Sequence, residues 1–253
     1  MKYLKALQQK RIFDLAFAIS LTNNEKTAKS MLRSYKKAGV IKSVRQNLYV
    51  TVDLSSGNSL AGRFEIGSSI NKDAYISHHS ALEFHGVANQ VFHQVTVTSN
   101  MRFFPFEYDD FSYERYSERI QSGVITPPLS PLVRVTDLER TVIDCLYDID
   151  LAGGLEEIIE ALTLIPTLNE RYLISYLKEY NQIYLWQKAG YVLSHFKETH
   201  QISNSFFDEC KSHIHNRKQT LDSSYATCFY PEWKLYAPTD LLSIISEGGD
   251  ALV

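Results

Sequence analysis

Residues 25–50 read EKTAKSMLRSYKKAGVIKSVRQNLYV. Within them Ala28, Met31, Leu32, Tyr35 and Ala38 recur at helical spacing and form one apolar stripe. Lys26, Lys29, Arg33, Lys36 and Lys37 fall on the opposite face. The pattern predicts a helix over Glu25–Ala38. Gly39 is placed to end it, because glycine accepts the left-handed backbone that terminates a helix. Beyond it, Val40–Arg45 and Leu48–Val52 predict two short strands around Gln46-Asn47. Asn47 tolerates the positive φ of that tight turn.

Upstream, Leu21-Thr22-Asn23-Asn24 is turn and cap chemistry. Ile12–Ser20 carries Phe13, Ala16, Phe17 and Ala18 and predicts a largely buried helix, and Tyr3–Gln8 predicts a short one. The order helix, helix, helix, hairpin matches a winged helix-turn-helix, whose third helix enters the major groove while the hairpin lies along the backbone. Lys29, Arg33, Lys36 and Lys37 are then expected to neutralise phosphates, with Lys26 on the same face and Lys42 and Arg45 extending it into the wing. Thr27, Ser30 and Arg33 are expected to read base edges, Arg33 because a guanidinium bridges two guanine acceptors. A solvated basic helix in an ordinary three-helix cluster would show the same residues. The coincidence of element order, one-sided charge and scarce acids favours DNA.

Charge is divided unevenly. Residues 1–50 hold eleven Lys or Arg against two acids, Asp14 and Glu25, a net +9; the remainder holds fifteen basic and twenty-seven acidic side chains, a net −12. The overall −3 averages two opposites. A compact basic head on a larger acidic body implies polyanion binding at one end and a second task at the other. With 44% hydrophobic and 22% charged residues the chain has ample material for packed cores. Its three cysteines, Cys145, Cys210 and Cys228, form no CxxC pair and suit reduced thiols. The start, MKYLKALQQKRIF, is too interrupted by charge for a signal peptide, and Leu15–Ile19 falls far short of the ~20 residues of a membrane span. A soluble cytoplasmic protein is expected.

Ser55-Ser56-Gly57-Asn58-Ser59 reads as a linker. The expected organisation is therefore α+β: a winged helix-turn-helix over 1–55 and a larger mixed domain over 60–253. In that second part Ala74–Ile76, Gln94–Thr98, Phe111–Tyr116, Leu132–Val135, Tyr225–Phe229 and Lys234–Tyr236 read as strands. Ser77–His85, a segment ending near Tyr147, Leu155–Leu162, a run through Phe196, and Ser203–His215 read as helices. Thr136-Asp137-Leu138-Glu139 and Thr167-Leu168-Asn169-Glu170 read as capping boxes.

Enzymatic signatures are scarce. GxxxxGK[ST], GxGxxG and GxSxG are absent from the sequence. Gly67-Ser68 followed by Asp73 lacks the second acid of a metal-dependent nucleotidyltransferase. Asp222 with Glu232-Trp233-Lys234 has the outline of a nuclease site in which carboxylates hold Mg²⁺, a short pattern that chance also supplies. His78, His79 and His85 surround Glu83, but on a helix His79 points away from the other two, which suits hydrogen bonding better than zinc. A non-enzymatic protein with no cofactor and no metal is expected.

Two further segments carry a resemblance. Tyr75-Ile76-Ser77-His78-His79-Ser80-Ala81-Leu82-Glu83-Phe84-His85-Gly86 and Val133-Arg134-Val135-Thr136-Asp137-Leu138-Glu139-Arg140-Thr141-Val142-Ile143-Asp144-Cys145-Leu146, with Gly153-Gly154 after it, resemble AbiEi-family antitoxins, transcriptional regulators of viral defence in type IV toxin-antitoxin systems. Gly39-Val40-Ile41-Lys42 with Leu48-Tyr49-Val50 looks like that family's winged-helix end, and Leu221-Asp222 with Trp233-Lys234-Leu235 like its terminus. Asn47 stands where many relatives have Gly. The resemblance implies a repressor that binds inverted repeats in its own operon and counters a nucleotidyltransferase-type toxin, with or without a stable complex. It moves the Asp222/Glu232/Lys234 pattern from nuclease to family feature. A ligand-sensing transcription factor without a toxin is the alternative.

Overall fold

The computed structural model describes residues 2–247. In chain order these form α1 (Leu4–Lys10), β1 (Ile12–Asp14), α2 (Leu15–Thr22), α3 (Glu25–Lys37), β2 (Ile41–Arg45), β3 (Leu48–Thr51), α4 (Arg63–Ser68), β4 (Tyr75–Ile76), α5 (His78–His85), β5 (Gln94–Thr98), β6 (Phe106–Tyr108) and β7 (Phe111–Tyr116). There follow β8 (Val124–Ile125), β9 (Val135–Thr136), α6 (Leu138–Tyr147), α7 (Leu155–Leu164), α8 (Glu170–Tyr180), α9 (Ile183–Ser194), α10 (Asn204–Ser212), β10 (Gln219–Thr220), β11 (Cys228–Tyr230), β12 (Leu235–Ala237) and α11 (Ser243–Glu247). The fold is mixed α+β, with several sheets. It divides into two compact units, one of residues 1–76, 93–117 and 126–134, the other of 77–92, 118–125 and 135–253.

The first unit opens with α1–α3 and an antiparallel sheet of order β1-β3-β2. α3 starts on Asn24, whose side chain accepts the Thr27 N–H. It ends in a Schellman turn: Val40 N–H reaches Tyr35 O at 3.1 Å, Gly39 N–H reaches Lys36 O at 3.0 Å, and Gly39 has φ +71°. Ala28, Leu32 and Tyr35 pack on Leu7, Phe13, Ala18, Val40 and Ile41. Asn47 turns the hairpin at φ 63°, as its sequence context predicts. The helix expected over Ile12–Ser20 is only half correct. Ile12–Asp14 pairs instead with Leu48–Val50 as a strand, and Asp14 caps α2 by accepting the Phe17 N–H at 2.7 Å. Ala16 is exposed and Phe17 half-buried, so α2 is less enclosed than its composition suggests.

The expected break at residues 55–60 differs from the observed units. Ser55–Ser59 is a surface turn held by Asp53, whose carboxylate accepts the Ser55 N–H at 2.8 Å, and Val52 bridges Ser59. The first unit carries on through α4 to β4. It also contains β5–β7, ordered β6-β7-β5-β4, with β5 and β7 parallel and the other pairs antiparallel. Loop closure over such distances leaves no local trace in the sequence.

The second unit holds α5, the β8–β9 pair, six further helices and a small sheet of order β10-β12-β11. Ile143, Leu146, Leu155, Ile159, Leu162, Leu177, Trp186 and Leu193 lie in its core. The two capping boxes shift by one or two residues. Asp137, not Thr136, caps α6 by accepting the Arg140 N–H, and Glu139 instead accepts the Asn169 N–H at 2.7 Å. Asn169, not Thr167, caps α8, and Glu170 accepts from Ser203 N–H.

Gly190, inside α9, admits the Trp233 ring: a Cβ there would sit 2.7 Å from Cε3 and 2.8 Å from Cη2. Alanine normally stabilises a helix interior over glycine by about 0.5–1 kcal/mol. Here Gly190→Ala is expected to destabilise by roughly 1–3 kcal/mol through overpacking, read as a lower urea midpoint. An unchanged or higher midpoint would show that Trp233 yields freely.

Candidate nucleic-acid interface

The structural units keep the charge division, though with smaller values. The first holds sixteen Lys or Arg against nine Asp or Glu, a net +7; the second holds ten against twenty, a net −10. Both acids of the first fifty residues sit at helix N-termini, Asp14 as the cap of α2 and Glu25 as the first residue of α3. They leave the outer face of α3 almost wholly cationic.

Lys26, Arg33, Lys36 and Lys37 are exposed and have no ion-pair partner among the described residues. Lys29 is also exposed, but its Nζ lies 2.6 Å from Glu25 Oε1 one turn earlier. The hydrogen bond from Lys29, and then its charge, hold the Glu25 carboxyl below its ordinary range. Lys29, Arg33 and Lys36 line a shallow groove of about 310 Å³ together with Leu15, Asn47 and Tyr49, so the helix cations and the hairpin turn share one surface. Ser30 is exposed on α3, and Thr27 is exposed with its hydroxyl donating to Asn24 Oδ1 at 3.2 Å.

The two hairpin cations are engaged within the unit. Lys42 is exposed, but its Nζ donates to Gly57 O at 2.8 Å. Arg45 is half-buried, its guanidinium 5.5 Å from the Phe103 ring centre and 5.4 Å from that of Phe106. Arg45 thus packs against aromatics brought in from β6 and the loop before it, partners 58 or more residues away that local pattern does not reveal. Sequence reasoning confined to the first 53 residues also misses Asn71, Lys72 and Met101. With Lys10, Phe17 and Asn47 these line a wider groove of about 970 Å³ in the same unit. No periodicity marks them, because separate loops bring them together.

His79 and His85 are engaged by groups within the protein. His79 is buried, stacked on Phe92 at 3.8 Å, with Nδ1 3.0 Å from Glu83 Oε1 and Nε2 3.1 Å from Glu157 Oε1. His85 meets the Thr136 carbonyl at 2.7 Å. Burial alone would lower the pKa of His79, but hydrogen bonds to Glu157 and Glu83 outweigh it and raise it above 6.5. A raised folded-state value means the proton favours the fold. This contribution is full below about pH 6.5 and is lost as pH rises through the higher folded value. Unfolding measured across that window should show stability falling with pH, and His79→Gln should flatten the fall. Equal slopes in both proteins would overturn the assignment.

Two members of the Asp222, Glu232 and Lys234 pattern have local partners. Asp222 accepts from Ser224 N–H at 2.8 Å, and Glu232 pairs with Lys211 at 3.1 Å. Among the described residues no group of three His, Cys, Asp or Glu is placed to hold a metal ion, and no helix is long and apolar enough to cross a membrane.

No protein-family model matches the chain, and no curated protein is similar to it. Its fold is similar to that of a solved structure, the RV2827C protein from Mycobacterium tuberculosis. The TM-score is 0.66 over 98% of this chain and 93% of that one, at 12% identity. The likeness is one of fold.

Proposed function

We propose that the first unit is a winged helix-turn-helix that binds double-stranded operator DNA through α3, and that the chain is an autorepressor and antitoxin. One observation carries the DNA reading: four cations on the outer face of α3 lack any partner within the described residues, beside a hairpin whose own cations are occupied. Unpaired exposed cations are available for phosphates and gain affinity from counterion release. The antitoxin reading is supported by the resemblance of residues 75–86 and 133–146 to AbiEi-family antitoxins, and by a net −10 unit that duplex DNA would repel.

Gel shifts on the DNA upstream of the gene test the first half. Arg33→Ala is expected to cost roughly 1–3 kcal/mol of binding if it reaches a base. Lys29→Ala should cost less, because Glu25 already shares its charge. Equal losses, or none, would count against α3 as the reading helix. For the second half, a toxin reading frame beside the gene, and relief of that toxin's growth arrest on co-expression, is the expected outcome. Operator binding without any such relief would leave the ligand-sensing regulator in its place.

A further inference from the structure

The two grooves of the first unit meet at Asn47, the turn of the β2–β3 hairpin, which lines both. On one side lie Lys29, Arg33 and Lys36 of α3. On the other is the wider groove of about 970 Å³. Two cations reach it from separate parts of the chain, Lys10 at the end of α1 and Lys72 in the loop before β4. Both are exposed, and neither has an ion-pair partner among the described residues. Among the described residues that line the groove, Asp14 is the single acid, and its carboxylate accepts the Phe17 N–H at 2.7 Å as the cap of α2. The wall that carries Lys72 is braced. Arg134 donates to the Lys72 carbonyl at 2.9 Å, and Asn71 Nδ2 donates to Ser99 Oγ at 3.2 Å and to Met101 O at 3.0 Å. The Asp73 carboxylate accepts the Asn100 and Met101 N–H groups at 2.7 and 3.1 Å. The backbone beneath Lys72 and Met101 is thus fixed in advance, which reduces what binding must still order.

This surface matches the chemistry of a nucleic-acid backbone. Two ammonium heads and the exposed Gln46 and Asn47 amides supply donors for phosphate oxygens, while Phe17, Ile70 and Met101 offer apolar contact for the sugars between them. Continuity favours the same occupant on both sides of Asn47. A duplex carries a negative charge about every 1.7 Å along its axis, so one that lies on α3 brings further phosphates past the hairpin turn. We propose that the operator duplex continues beyond that turn, and that Lys10 and Lys72 hold the phosphate backbone flanking the stretch that α3 reads. Lys72 lies outside the helix-turn-helix, so the DNA-binding surface extends past residue 55. The inference rests on the DNA reading of the first unit.

The full chain is tested on the DNA upstream of the gene, and on the same duplex trimmed from either end. Lys10→Gln with Lys72→Gln should weaken binding to the full duplex about tenfold or more at moderate salt, and should make the salt slope shallower by nearly two, at about 0.9 per contact. Hydroxyl-radical footprints should lose protection on one flank and keep it at the centre. Trimming that flank should bring the parent down to the affinity of the double variant. A parental salt slope, lost protection at the centre, or an equal deficit on full and trimmed duplexes would each overturn the proposal. So would self-association of the parent that the double variant lacks at an unchanged slope, since the groove would then join copies of the chain. A parent that binds no duplex removes the DNA reading and this inference together. A parent that binds, with a double variant that binds equally well, removes this inference alone.

Discussion

Arg140→Ala is expected to lower the stability of the protein by roughly 3–5 kcal/mol, the cost of leaving one member of a buried ion pair alone. Arg140 is 1% exposed, and so is Asp144 one turn later on α6. Arg140 Nε lies 2.5 Å from Asp144 Oδ1, and the Tyr180 hydroxyl donates to that oxygen at 2.5 Å. The guanidinium also donates to Ser122 O at 2.5 Å and to Ile120 O at 3.2 Å, so it fastens residues 120–122 onto α6. Gly123 follows at φ +77°, where a Cβ would meet Arg140 Cβ at 2.8 Å. Removing the guanidinium strands a carboxylate and two carbonyls at once. Replacing both partners, Arg140→Met with Asp144→Leu, should recover more than half of the loss, because the stranded charge is then gone. Urea unfolding with a two-state check measures both. A loss under about 1 kcal/mol for Arg140→Ala would mean that water reaches Asp144 after all.

This pair bears on what the sequence could disclose. Within the segments that carry the resemblance, His78, His79, Arg140, Thr141 and Asp144 are buried, whereas Gly86 is exposed and Arg134, Asp137 and Glu139 are half-buried. The buried members speak for packing and are silent about a binding surface. α3 was legible because amphipathic periodicity, an Asn cap and a Gly terminator act within the sixteen residues 24–39. β1 was not, because Ile12–Asp14 is extended only through its pairing with Leu48–Val50. β6, β8 and β10 are two or three residues long and owe their conformation to ladder partners, so no alternation could announce them. The candidate site divides in the same way. The face of α3 followed from one helix's periodicity. Arg45 is the counterexample: its charge suggested a wing contact, while Phe103 and Phe106 decide its position.

That contrast separates the two kinds of cation in the largest binding effect expected. The triple substitution Arg33→Ala, Lys36→Ala, Lys37→Ala should weaken operator binding by about 10²–10³-fold at moderate salt, since each phosphate contact contributes both affinity and counterion release. The slope of log affinity against log salt should become shallower by nearly three, at about 0.9 per contact. All three side chains are exposed and unpaired within the described residues, so the thermal midpoint should hardly move, as for surface substitutions generally. Arg45→Ala should behave in the opposite manner. It removes a guanidinium packed against two rings, so it should lower the midpoint and leave the salt slope close to that of the parent. Measuring slope and midpoint on both proteins distinguishes a contact face from a packing residue. If the triple variant keeps the parental slope, α3 does not touch phosphates, and the DNA reading of the first unit fails with it.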